Sequence, residues 1–249
     1  MRSDSFRNVW ILFRREFASY FATPLALVFI VIFLALAGLF TFFLGGFYER
    51  GQADLAPFFN YLPWLYLFLM PAIAMRLWAE ERKSGTIELL MTLPIAPWQA
   101  VLGKYLAAWA VAALALLLTF PMWITVNYLG DPDNGAIVTG YIGSLLAAGG
   151  MLAIGTCFSA VTRNQVIAFI LAFVVCVVFI FSGFALVLDA FQSWAPQPVI
   201  DAVASLSFLT HFGSIAKGVI DIRDLLYFAT VIAAWLMATA IVLDLKKAD

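Results

Sequence analysis

The chain has 249 residues, of which 64% are hydrophobic and only 12% are charged, and its mean hydropathy is +0.99. Soluble domains carry roughly 25% charged residues, so this composition predicts an integral membrane protein. A formal net charge of −1 gives no basic excess to hold phosphate groups. Nucleic acid is therefore excluded as an expected partner, and the lipid bilayer is the expected medium.

The first 22 residues predict an amphipathic helix that lies in the membrane interface. Aromatic side chains recur at helical spacing on one side, and basic or polar side chains occupy the other. The aromatic set is Phe6, Trp10, Phe13 and Phe17, and the polar set is Arg7, Asn8, Arg14 and Arg15. A signal peptide is excluded because the stretch has no continuous apolar core. The helix serves either as an anchor or as a contact for a partner, and the sequence leaves both open.

Six charge-free intervals follow, each long enough to cross a bilayer as a helix of about 20 residues. They are residues 17–48, 55–75, 105–130, 134–162, 164–188 and 225–243. Four prolines predict kinks or late helix starts in the second and third intervals. These prolines are Pro57, Pro63, Pro71 and Pro121.

The distribution of basic residues predicts the orientation of the spans, because Lys and Arg near span ends stay preferentially in the cytoplasm. With the N-terminus inside, all Lys and Arg residues except Arg50, Lys217 and Arg223 fall on the cytoplasmic side. We therefore expect a multi-pass protein of the bacterial inner membrane with both termini in the cytoplasm.

Segment 79–97 is the most polar stretch of the chain and joins the second and third spans. Residues 78–83 are expected to extend the second span into the cytoplasm, with a break at Gly85 and a cap at Thr86 for a short helix. The apolar residues of that helix are Ile87, Leu89, Leu90 and Met91. The segment is either a docking element for a partner or a simple hairpin between spans, and composition alone leaves both open.

No catalytic constellation emerges from the sequence. Metalloprotease, nucleophile-elbow and phosphate-loop motifs are absent, and no Asp or Glu lies within the six intervals. Cys157 and Cys176 are spaced for neither a zinc site nor a disulfide framework, and we expect inert buried thiols. The sequence thus disfavours an intramembrane enzyme and a proton-driven carrier, and it predicts no cofactor or metal bound by this chain.

Segment 190–223 is expected on the outer side, ahead of the last span. Helical spacing of apolar residues there predicts an amphipathic or re-entrant helix. These residues are Phe208, Phe212, Ile215, Val219 and Ile222. We expect His211 to pack or form a hydrogen bond rather than bind a metal. Asp221 and Asp224 are expected to cap the final span rather than bind a ligand.

Residues 80–88 resemble the first cytoplasmic loop of the ABC-2 transporter permeases, with the pattern E-E-x-x-x-G-T-x-E. The resemblance implies an all-α membrane fold of the ABC-2 or type V exporter kind over residues 1–249. It also makes the loop a coupling helix that docks on a separate ATP-binding subunit. The implied coupling residues are Glu80, Glu81, Arg82, Lys83, Ser84, Gly85, Thr86 and Glu88.

Residues 207–212, 217–221 and 224–228 are similar to the small permeases of gliding-motility and nitrous-oxide-reductase-maturation type. This resemblance implies a permease pair with two copies of a cytoplasmic ATPase, which would bind ATP and magnesium. It leaves open an auxiliary subunit on the periplasmic side or in the membrane. ATP hydrolysis would then drive export or conformational signalling. A passive anchor for other envelope subunits is the alternative function, and the substrate stays open.

Overall fold

The computed structural model describes residues 2–92, 94–192 and 195–246, and these residues form helices without any strand. The helices are α1 (Arg2–Ala22), α2 (Leu25–Leu39), α3 (Ala56–Ala74), α4 (Arg76–Ser84), α5 (Thr86–Thr92), α6 (Pro97–Leu117), α7 (Phe120–Leu129), α8 (Asn134–Val161), α9 (Gln165–Phe181), α10 (Ala185–Gln192), α11 (Gln197–Ser205), α12 (Phe208–Ala216) and α13 (Ile222–Leu245). A π-helical turn, Phe40–Leu44, continues α2. The all-α prediction is confirmed.

The described residues contain five helical segments that are long and apolar enough to cross a membrane. They are Leu25–Leu44, Ala56–Ser84, Pro97–Leu129, Asn134–Val161 and Ile222–Leu245. Helix α9 is a shorter apolar helix, whose 17 residues lie at the lower end of the roughly 17 to 25 that a span needs, and the bent pair Gln197–Ser205 and Phe208–Ala216 makes a sixth segment if the two helices count as one span. Three boundaries differ clearly from the prediction. The first span begins after Pro24, because α1 runs to Ala22. The third span begins at Pro97 rather than at residue 105, and α9 ends at Phe181 rather than at residue 188.

The predicted proline effects are present at two of the four prolines. Pro57 lies in the first turn of α3. The third span breaks between α6 and α7, and Pro121 lies in the first turn of α7. Proline has no backbone N–H and crowds the preceding turn, so a helix restarts readily at these two positions. Pro63 and Pro71 lie inside α3, which continues to Ala74 before the break at Met75 between α3 and α4.

Helix α8 is the buried centre of the bundle and packs against α3, α4, α6, α9, α12 and α13. Near the break between α3 and α4, Gly155 lets α8 approach so closely that a Cβ at this position would collide with Ala74. One turn further on, the Ser159 hydroxyl donates to the Met75 carbonyl (2.9 Å). The same oxygen accepts from the backbone N–H groups of Trp78 (3.0 Å) and Ala79 (3.1 Å). Ser159 thus satisfies the backbone groups freed at the break, as a bilayer requires.

The bundle has two ends, which we name by their contents. The coupling-loop end holds α4, α5 and the link between α8 and α9, where the Val161 carbonyl accepts from both Arg82 and Lys246. The opposite end holds α7 and α10 to α12. There α11 and α12 are bent by 59° against each other, and Phe208 of α12 packs on Gly150 of α8.

The outer segment agrees only in part with the predicted apolar stripe. Phe208, Phe212 and Ile215 are buried in α12 as expected. Val219 and Ile222 are exposed, because α12 ends before Gly218, whose φ of +93° turns the chain toward α13. The predicted stripe is therefore wrong beyond Ala216. Lys247, one of the basic residues assigned to the cytoplasmic side, lies outside the described residues.

Candidate functional site

The predicted coupling loop consists of α4 and α5, joined at Gly85. Gly85 has φ of +75°, a left-handed conformation that costs residues with a Cβ, and the space around it is open. The expected break is therefore present, and backbone conformation explains the glycine. Thr86 is the first residue of α5 rather than its cap. Its hydroxyl turns back to the Ser84 hydroxyl (2.9 Å) and to the Glu81 carbonyl (3.4 Å).

The eight predicted coupling residues divide into an exposed set and an inward set. The exposed set is Glu80, Lys83, Ser84, Gly85, Thr86 and Glu88. Glu81 and Arg82 are half-buried, and Arg82 reaches the Val161 carbonyl (3.5 Å). The side chains of Leu89, Leu90 and Met91, expected to face a partner, lie outside what the structure describes, as does Leu93. The described part of the loop therefore presents a polar surface.

Lys104 is the centre of a buried ion triad that sequence reasoning missed. It directly precedes the charge-free interval 105–130, yet its side chain is only 4% exposed. Its Nζ lies 2.7 Å from Glu81 Oε1 and 3.1 Å from Glu16 Oε2, and 5.4 Å from the Trp78 ring centroid. A buried ammonium is tolerated only when it is paired. The triad joins three helices, since Glu16 belongs to α1, Glu81 to α4 and Lys104 to α6.

The charge state of Glu16 follows from its neighbours. Burial alone would raise the pKa of this carboxyl. Lys104 and Arg15, whose guanidinium lies 2.6 Å from Glu16 Oε1, oppose that effect and hold the pKa below its ordinary value. Glu16 therefore faces Lys104 as a carboxylate at neutral pH.

Helix α1 lies firmly against α6, which fixes the position of the triad. The face that packs on α6 contains Val9 and Leu12, and Gly103 on α6 leaves room for Leu12. Asn8 also lies within 3.5 Å of the Gln99 side chain. The aromatic stripe predicted for α1 lies beside this face, with Trp10, Phe13 and Phe17 stacked on one another.

A cavity of about 260 Å³ adjoins the triad between α1, α4 and α6. Its lining includes Tyr20 and Arg76 as well as the triad, and Arg76 pairs with Glu80 (2.8 Å). Charged residues and the apolar side chains of Leu25 and Leu77 both line it, so the cavity has a mixed character.

The predicted outer residues form a second group, at the opposite end. Asp221 is the N-cap of α13 and accepts from the Arg223 N–H (2.9 Å), as expected. Asp224 instead pairs with His211, at 2.6 Å between Oδ1 and Nδ1. His211 thus makes hydrogen bonds, and among the described residues no cluster of three potential metal ligands occurs. Coupling residues and outer residues do not form one site.

Comparison with protein families gives a match over most of this fold. A family model described as "ABC-2 family transporter protein" matches residues 65–245, which is more than half of the chain. The chain belongs to the ABC-2 family. The matched range of this ABC-2 protein includes the coupling loop, Lys104 and the outer residues, whereas α1 precedes it. The search of curated proteins found no similar sequence.

Membership of the ABC-2 family agrees with the absence of catalytic motifs, since its members are membrane subunits of transporters. This ABC-2 protein is accordingly a multi-pass membrane protein and a permease component. Cys157 and Cys176, its two cysteines, are free and buried. The main feature of the site is the exposed α4–α5 loop, which is held by the buried polar contacts of Ser159 and Lys104.

Proposed function

We propose that this protein is the permease subunit of an ATP-driven transporter and that a separate cytoplasmic ATPase docks on the α4–α5 loop. Two ATPase copies and a second permease copy complete the assembly, with ATP and magnesium bound by the ATPase. The coupling-loop end, with both termini, faces the cytoplasm. ATP hydrolysis drives export or a conformational signal across the membrane, in an assembly like those of the small six-span permeases.

One observation carries the proposal: the loop is exposed at its tip and held rigidly at its base. The tip offers Lys83 and Glu88, which are both exposed. The base is tied to the bundle centre by the three hydrogen bonds of Ser159 and to α1 and α6 by Lys104. A loop that served only to connect two spans would not need buried charges beneath it, because burying an ammonium is costly.

The same contacts define how movement would pass into the membrane. An ATPase that displaces the loop tip moves α4, and α4 transmits the movement to α8 through Ser159 and to α1 through Glu81 and Lys104. Glu81, expected as a direct ATPase contact, supports the loop from beneath in this proposal. Glu80, Arg82, Ser84 and Thr86 shape the tip, and Gly85 sets its turn.

Charge reversal at the tip tests the proposal. Lys83→Glu combined with Glu88→Lys should insert and fold normally, because both side chains are exposed, yet lose association with the ATPase. Removing interfacial charge pairs costs roughly 2 to 5 kcal/mol of binding, or more than tenfold in affinity. The readouts are co-purification with the ATPase and ATP turnover in nanodiscs, with the exposed opposite-end change Lys217→Glu as the matched control. If association with the ATPase and ATP turnover are both unchanged, the loop only connects two spans, and the alternative function as a passive anchor is favoured.

A further inference from the structure

An apolar groove of about 420 Å³ lies between α1, α6 and α8. All nine residues that line it are apolar, namely Phe6, Val9, Trp10, Phe13, Leu106, Trp109, Ala110, Ala113 and Leu145. The Trp109 indole N–H donates to the Leu145 carbonyl (2.9 Å), so this ring offers the groove only its apolar surface. Sites for small ligands have volumes of about 300 to 1,000 Å³ and mostly apolar walls. The groove therefore has the size and the lining of a site for an apolar ligand.

The groove follows α6 from the coupling-loop end toward the middle of the third span. Its α6 residues recur at positions i, i+3, i+4 and i+7, from Leu106 to Ala113, and so lie on one face of the helix. At a rise of 1.5 Å per residue they extend over about 10 Å. Ala110 and Ala113 have the smallest side chains of the lining and leave room above α6. An apolar space that runs along a span matches the acyl chain of a membrane lipid.

Two arginines of α1 lie beside this groove. Arg7 and Arg14 directly follow Phe6 and Phe13 of the lining, and each residue of a helix turns about 100° around the axis. The order around α1 is therefore the face packed on α6, then the aromatic stripe, then the two arginines. Both arginines are exposed, and in the part of the chain that the structure describes no carboxylate pairs with either of them. The groove thus has a positively charged border on α1.

A ligand that fits both features joins an anionic group to an apolar chain. Guanidinium groups bind phosphate through two parallel N–H donors, whereas an apolar helix in the groove would leave the arginines without a partner. We propose that the groove binds one acyl chain of an anionic phospholipid and that Arg7 and Arg14 hold its phosphate group. The bound lipid fills the space between the aromatic stripe and α6 and so helps to hold α1 in place. The site requires no ATPase, so its tests are independent of the proposed function.

Native mass spectrometry of the full-length protein, released from nanodiscs, tests the headgroup. The discs contain phosphatidylglycerol and phosphatidylcholine with identical acyl chains in equal amounts, and we expect the wild type to retain one phosphatidylglycerol. An arginine near an anionic lipid contributes about fivefold in affinity, so Arg7→Gln combined with Arg14→Gln should weaken the binding of phosphatidylglycerol roughly 25-fold. Both side chains are exposed, so the double variant should fold normally.

The matched control for the headgroup is Lys217→Gln combined with Arg223→Gln, two exposed changes at the opposite end. This control should retain phosphatidylglycerol like the wild type. A wild type that retains no lipid, or retains the two lipids equally, would overturn the proposal. Equal losses of lipid in the double variant of α1 and in the control would do the same.

Filling the groove tests its location. Ala110→Phe places a ring in the space that the acyl chain would occupy and leaves both arginines in place, and it should abolish the retention of phosphatidylglycerol. Ala234→Phe, a change at an exposed alanine of α13, is the matched control and should retain the lipid. Thermal unfolding in micelles checks that both variants fold, and Ala113→Leu, a smaller filling of the same groove, replaces Ala110→Phe if that variant does not. Unchanged retention of the lipid in the filled groove would overturn the proposal.

Crosslinking identifies the occupant directly. A phosphatidylglycerol with a photoreactive acyl chain, added to the wild type in nanodiscs, should label residues 106–113 of α6 and the aromatic stripe of α1, and Ala110→Phe should remove this label. Label confined to other helices would overturn the proposal. If Ala110→Phe disrupts self-association of the protein while the lipid is retained, a second copy of the chain occupies the groove and the proposal is wrong.

Discussion

Replacing Lys104 by methionine tests whether the ion triad holds α1, α4 and α6 together. Methionine keeps most of the volume but removes the charge, and it leaves Glu16 and Glu81 facing each other, at 14% and 20% side-chain exposure. Removing one partner of a buried ion pair costs roughly 3 to 5 kcal/mol. Because Glu16 and Glu81 both line the cavity beside the triad and are not fully buried, we expect the low end, about 3 kcal/mol in the free energy of unfolding.

The measurement is denaturant unfolding in mixed micelles at neutral pH, together with ATP turnover of the reconstituted complex. Lys217→Met, an exposed lysine at the opposite end, is the matched control and should change stability by less than about 0.5 kcal/mol. Adding Glu81→Gln to Lys104→Met should restore part of the loss, because it removes one unpaired carboxylate. If Lys104→Met unfolds like the control, the triad contributes no stability and the proposed link between α4 and α1 is refuted.

Three further predictions concern the support of the loop and its pH dependence. Gly85→Ala should destabilise by about 1 kcal/mol in thermal unfolding because φ is +75°, whereas Gly38→Ala, in open space within α2, should be neutral or stabilising. Ser159→Ala should cost about 1 to 3 kcal/mol and lower ATP turnover, unlike the exposed Thr125→Ala; equal effects would contradict the role of Ser159. Because the folded pKa of Glu16 is lowered, its stabilisation is present above the ordinary value of 4.5 and lost as the pH falls through the folded pKa. Acid unfolding of Glu16→Gln should lack that component, and an unchanged acid profile would contradict it.

Local signals in the sequence predicted the spans, the proline breaks and the turn at Gly85. A long interval without charge has few alternatives to a membrane helix, and proline or glycine restricts or frees the backbone wherever the chain folds. The errors in the helix boundaries also come from relying on local signals. No local signal shows that the apolar residues after Phe17 continue α1 to Ala22 before the first span begins.

The triad could not be predicted in this way, because Glu16, Glu81 and Lys104 come from three separate helices. The sequence placed Glu81 in the polar segment 79–97 but did not say whether its side chain faced solvent, an ATPase or a neighbouring helix. One signal was available, since Lys104 lies two turns inside the apolar α6, where a charge needs a partner. The pairing of His211 with Asp224 was likewise hidden, as it depends on the turn that Gly218 makes between α12 and α13.

Site-specific photocrosslinking of the assembled complex tests the central claim most directly. A photoreactive amino acid at Glu88 reports what contacts the loop tip, and the same residue at Ile222, exposed at the opposite end, is the control. We predict that the ATPase crosslinks at position 88 and not at 222, and that the yield at 88 changes when ATP is added. A complex that hydrolyses ATP yet gives no crosslink at 88, or equal yields at both positions, would contradict docking on the α4–α5 loop.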